Sequence, residues 1–89
     1  MSNPKFNGET LRSDVILSAR QYFADSYQEC INLALEGTLG LASHVNVDDY
    51  VAQERTRKEE MLAGKRDYTF AFLQHAYYIQ TGRCLALLP

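Results

Sequence analysis

The run SDVILSARQYFADSYQECINLALEG, Ser13 to Gly37, decides the fold of this 89-residue chain. It holds no proline, and no glycine before its last position. Ile16, Ala19, Phe23, Tyr27, Cys30 and Ala34 recur within it at steps of three and four. That period places side chains on one face of an α-helix. Val15, Tyr22 and Ile31 widen the seam, while Arg20, Asp25, Gln28, Glu29 and Asn32 fall outside it. The spacing predicts a helix over residues 14–36, roughly 23 residues and about 35 Å long. Ser13 is placed to cap its start and Asp14 to face the positive end of its dipole. Gly37 is placed to end it in the left-handed conformation.

Beyond Gly37, residues 38–45 read as a connector, with Leu39 and Leu41 turned inward. The motif VNVDDY (45–50) is a helix start: Asn46 caps, Asp49 follows three residues on, and Val45 staples against Tyr50. A second helix over 47–63 follows, with Gly64 as its stop. Its ends are apolar (Val47, Tyr50, Val51; Met61, Leu62), whereas its middle, QERTRKEE, is charged. That pattern predicts core contact at both ends and a solvated centre carrying the pairs Glu54–Lys58 and Arg55–Glu59. Asp67 is read as the cap of a third helix over 68–81, stopped by Gly82. Here Phe70, Ala71, Phe72, Leu73, Ala76, Tyr77, Tyr78 and Ile79 go most of the way round the wheel. A helix that is apolar all round is expected to be covered on several sides.

The expected fold is therefore all-α: a single domain over 1–89, three helices in a bundle-like arrangement, and an apolar C-terminal tail (82–89) packed on it. Upstream, residues 1–12 read as an extended arm anchored by Phe6 and Leu11. The Asn7–Gly8 pair lacks flanking alternation and is not read as a hairpin.

Leaving Phe70, Phe72, Tyr77, Tyr78, Ile79, Leu85, Leu87 and Leu88 in water would forgo about 1.5–3 kcal/mol each. A net stability of about 5–15 kcal/mol does not survive such a loss. Three covers are open: the protein's own tail, a second copy, or a different partner. A homodimer with Phe72, His75, Tyr77, Tyr78, Leu85, Leu87 and Leu88 at its interface is the expectation that carries a function. On this reading the chain is a non-enzymatic protein–protein interaction module.

Composition supports a folded domain and argues against several other classes. A hydrophobic fraction of 46% with 22% charged residues is that of a globular protein, not a disordered one. Eleven acidic against nine basic residues give a net charge of −2, unlike the strongly basic balance of a general nucleic-acid binder. No run approaches the roughly 18–20 apolar residues of a membrane span. The polar opening MSNPKFNGE lacks an apolar leader, so a cytoplasmic location is expected. Cys30 and Cys84 stand apart without a CxxC pattern and read as reduced thiols, with a bond between them as the alternative. No nucleophile–base pair, phosphate loop or metal-ligand spacing is present, so no catalytic residue, metal or cofactor is expected. His75 reads as an ordinary helix residue or a pH-sensitive interface group.

A second functional reading uses the basic positions Arg55, Arg57, Lys58, Lys65 and Arg66, with Tyr68 beside them for stacking, as a nucleic-acid surface. The interleaved Glu54, Glu59 and Glu60 largely cancel its field. Finally, the closing YYIQTGRCLALLP (77–89) resembles the C-termini of small accessory proteins carried by bacterial prophages. The resemblance implies a bacterial or phage setting, with a role in inhibiting a host protein or regulating phage genes. It carries no site residues.

Overall fold

The computed structural model describes residues 3–82. Among them the fold is mostly helical, as the apolar periodicity predicts. Two short strands, β1 (Lys5–Phe6) and β2 (Glu9–Thr10), precede α1 (Ser13–Glu36), α2 (Val47–Leu62) and α3 (Phe70–Thr81).

The seam of α1 is its buried face. Val15, Ile16 and Ala19 join Leu11, Met61, Phe72, Ala76 and Tyr77 in the main core, with Phe6, Phe23, Tyr27 and Leu73 packed around it. Farther along α1, Ile31 and Ala34 meet Val51 in a second, smaller cluster that Leu39, Leu41 and Tyr50 close. The start of α2 thus lies against the end of α1, and Met61 near the end of α2 lies against the start of α1. The two helices form an antiparallel pair.

Several helix ends behave as their residues predict. Asn46 accepts a hydrogen bond from the backbone N–H of Asp49 at 3.2 Å. Gly37 and Gly82 both adopt the left-handed conformation just past a helix end. Two starts differ. α1 begins after Arg12, whose side chain makes no capping bond, and Ser13 Oγ instead accepts from Asn3 Nδ2 at 3.1 Å. α3 begins at Phe70, not at 68, because Thr69 is its cap and accepts from the N–H of Phe72. Asp67 instead holds α1: it is buried and receives two hydrogen bonds from Arg20, Nε to Oδ1 at 3.1 Å and Nη2 to Oδ2 at 2.5 Å. The hydrogen bond to Asp67 raises the guanidinium pKa above its ordinary value.

The centre of α2 is less solvated than its composition suggests. Glu54 is only 4% exposed and accepts from Arg57 Nη1 at 2.8 Å. Lys58 donates to Gln28 of α1 at 2.8 Å. Neither expected pair, Glu54–Lys58 or Arg55–Glu59, forms among the described residues. The physical reason is the neighbouring helix: α1 supplies Lys58 with a polar partner and buries the face on which Glu54 lies.

The largest departure is at the N-terminal side. Asn7 (φ 52°) and Gly8 (φ 82°) both have positive φ, as a type I′ hairpin turn requires, and join β1 to β2 as an antiparallel pair. Strands of two residues are too short to show alternation, which is why sequence pattern does not reveal them. A hairpin this small is not stable alone. It is held by α3: Phe6 packs edge-on against Phe70 and Tyr77, at ring-centre distances of 5.8 and 5.4 Å. Asn7 Nδ2 donates to the Tyr77 hydroxyl at 3.0 Å. Gln80 of α3 bridges the exit of the hairpin, accepting from the N–H of Arg12 and donating to the carbonyl of Thr10. The arm is thus a fourth cover, beyond tail, second copy and partner, and it shields one side of the apolar helix. The expected packing of residues 83–89 lies outside the described residues.

Candidate interaction surface

The described residues measure 44 × 34 × 17 Å. A body 17 Å thick holds about two helix diameters, so α3 cannot be wrapped on every side. Its inner face gives Phe72, Ala76 and Tyr77 to the core. This corrects the expectation for Phe72 and Tyr77: both are filled with intramolecular contacts and cannot be presented to a partner. Burial of the Phe72 side chain alone stabilises the fold by about 2–3 kcal/mol.

The face beside it is different. His75, Tyr78 and Ile79 stand at i, i+3 and i+4, one above another on the helix surface. Tyr22 of α1 extends this face, its ring stacked on His75 with centres 4.0 Å apart and planes 18° from parallel. Phe23 meets the same imidazole edge-on at 5.3 Å. Burial by these rings lowers the His75 pKa, favouring the neutral imidazole. Tyr22, Tyr78 and Ile79 remain 52%, 49% and 40% exposed. The result is a strip of aromatic and aliphatic surface across two helices. Of the expected interface residues, His75 and Tyr78 lie on it. Leu85, Leu87 and Leu88 lie outside the described residues.

Tyr22 and Ile79 are not among the residues expected at the interface. Tyr22 widens the α1 seam by sequence, yet it sits at the edge of the core, and nothing local places it beside His75. Ile79 follows from the helical step once the outward position of His75 is known.

The basic positions are mostly engaged within the molecule. Arg57 pairs with Glu54, Arg66 with Glu60 at 3.2 Å, and Lys58 with Gln28. Arg55 and Lys65 are exposed and make no ion pair among the described residues. Tyr68 is exposed, but it projects from the turn before α3 and lines a cleft with Arg20 and Asp67 rather than extending a basic stripe. With three of five cations committed, the residual field toward phosphates is weak.

Among the described residues no group of three His, Cys, Asp or Glu is placed to hold a metal ion. No helix there is long and apolar enough to cross a membrane. Cys30 is a half-buried free thiol beside Tyr50, whose phenol pKa is raised, chiefly by desolvation. The alternative bond from Cys30 to Cys84 involves a residue outside the described ones. Comparison with protein-family models, with curated proteins and with solved structures finds no match to the chain.

Proposed function

We propose that this chain is a non-enzymatic protein–protein interaction module that self-associates as a homodimer through the Tyr22–His75–Tyr78–Ile79 face. The observation that carries the reading is the grouping of three exposed large side chains, Tyr22, Tyr78 and Ile79, around His75 on one face. Contiguous apolar surface of this kind marks contact sites in soluble proteins, and tyrosine is enriched among the residues that dominate binding energy. A two-fold axis passing near His75 would set each Tyr78 against the partner's aromatic strip, a self-complementary arrangement. The resemblance of the closing residues to prophage accessory proteins directs the wider proposal to a cytoplasmic regulator or inhibitor of a host protein, acting as a dimer.

The test is the mass in solution across concentration. The unaltered chain should move from monomer toward dimer mass as concentration rises. Tyr78→Glu, an exposed position whose change leaves the core intact, should hold the protein at monomer mass with an unchanged helical spectrum. A chain that stays monomeric at every concentration, or a Tyr78→Glu variant that dimerises as well as the parent, removes self-association through this face.

A further inference from the structure

On α1, one turn before the aromatic strip begins, the surface opens into a cleft of about 290 Å³. Its walls are Pro4 of the arm, Ile16 and Leu17 of α1, and Tyr68 of the turn before α3; Arg20 and Asp67 supply its charged end. Leu17 and Tyr68 are 60% and 73% exposed. They are the exposed large apolar groups on the cleft, whereas Ile16 is buried. Asn3 and Ser13 also line the cleft, but they are hydrogen bonded to one another at 3.1 Å. The Arg20–Asp67 pair is therefore the polar feature to which an occupant must respond.

The chemistry of that pair is selective. Arg20 directs Nε and Nη2 at the two oxygens of Asp67, and its Nη1 makes no hydrogen bond among the described residues. The carboxylate oxygens each keep a second lone pair. The cleft thus ends in a donor and an acceptor side by side, with no net charge. A charged ligand would lose its hydration there without gaining a full countercharge. The matching group is neutral and both donates and accepts, as a hydroxyl does. The apolar walls call for a ring behind that hydroxyl. The volume lies at the lower edge of the range for small-molecule sites, roughly 300–1,000 Å³. It fits one ring and excludes a nucleotide or a polycyclic cofactor.

We propose that this cleft binds a phenol: the side chain of a tyrosine presented by a partner protein, with its ring between Leu17 and Tyr68. Its hydroxyl donates to Asp67 and accepts from Arg20 Nη1. The site lies apart from the Tyr78 face and does not require self-association, so the cleft and the dimer face stand or fall separately.

The experiment is a titration of the full chain, followed by amide chemical shifts, with N-acetyl-tyrosinamide and in parallel with N-acetyl-phenylalaninamide. The tyrosine derivative should shift the amides of Leu17, Arg20, Asp67 and Tyr68. The phenylalanine derivative, lacking the hydroxyl, should bind about 3- to 10-fold more weakly, the usual effect of one such hydrogen bond. Leu17→Glu, at an exposed position, should abolish the shifts while the rest of the spectrum stays in place. Tyr78→Glu should leave them unchanged. Equal binding of the two derivatives overturns the proposal, as does the absence of shifts up to the solubility limit. Shifts centred on His75 and Tyr78 overturn it equally.

Discussion

Arg20 and Asp67 stand 47 residues apart in sequence and meet in a two-bond clamp that ties the first third of α1 to the turn before α3. Gly64 lies under this clamp: a Cβ there would come within 2.7 Å of Arg20 Nη2, and its φ is +82°. Gly64→Ala should therefore destabilise twice over. Left-handed backbone costs a non-glycine residue about 1–2 kcal/mol, and the methyl group pushes the guanidinium from its carboxylate. Urea unfolding of Gly64→Ala, Asp67→Ala and the double variant checks this. The double variant should lose less than the sum of the singles, because once Asp67 is gone Arg20 can move aside. Strict additivity would show that Gly64 and the clamp are independent.

Tyr77 combines two contributions that substitution can separate. Its ring fills the core, and its hydroxyl accepts from Asn7 at 3.0 Å. Tyr77→Phe keeps the ring and should cost about 0.5–1.5 kcal/mol. Tyr77→Ala should cost about 3–5 kcal/mol, as large-to-small changes in cores do. Amide exchange of Leu11, whose N–H donates to the Pro4 carbonyl across the hairpin, should accelerate more than in α2 for the Phe variant. Uniform acceleration would mean that the hairpin is not held through this hydroxyl.

Glu54 and Arg57 should respond asymmetrically. Glu54 is buried, whereas the Arg57 side chain is 41% exposed. Arg57→Met strands a carboxylate and should cost about 1–3 kcal/mol. Glu54→Met removes the buried charge itself and should be near neutral, because replacing a buried ionic group by an apolar one of similar volume often is. Thermal melts rank the two. A Glu54→Met variant less stable than Arg57→Met would count against this account.

His75 sets a pH response of definite sign. Its folded pKa lies below the ordinary value of about 6.5. Above that value both folded and unfolded chains hold it neutral, and its stacking on Tyr22 is fully realised. As pH falls through about 6.5, the unfolded chain takes up the proton more readily than the folded one. Stability from this group is therefore lost as pH falls from about 6.5 toward the folded pKa. Melting temperatures at pH 7.5 and 5.5 should fall more for the parent than for His75→Gln. Equal falls would assign the acid response to the carboxylates.

What the amino-acid order reveals here divides by distance along the chain. The α1 seam, the Asn46 cap and the glycine stops at 37 and 82 depend on residues within one or two turns, and they are legible. Asp67 is not: an aspartate before an aromatic run is a good cap by local rules, yet Thr69 serves equally well and Arg20 lies on another helix. The burial of Glu54 depends on how closely α1 approaches, which no property of α2 encodes. On α3, apolar residues all round the wheel leave the inward face undetermined by periodicity. Phe72 and Tyr78 therefore look equivalent until the hairpin and α1 take their sides. Of the candidate surface, His75 and Tyr78 become legible as outward positions only in combination with that packing.

The hairpin has a consequence for synthesis. Its contacts with α3 join Asn7 to Tyr77 and Arg12 to Gln80, separations of 70 and 68 residues. During translation the earliest of these elements has no surface to lie on until the latest has left the ribosome. The nascent chain must hold Phe6 and Leu11 without their α3 partners until residues 70–81 have emerged, and only then can the hairpin dock.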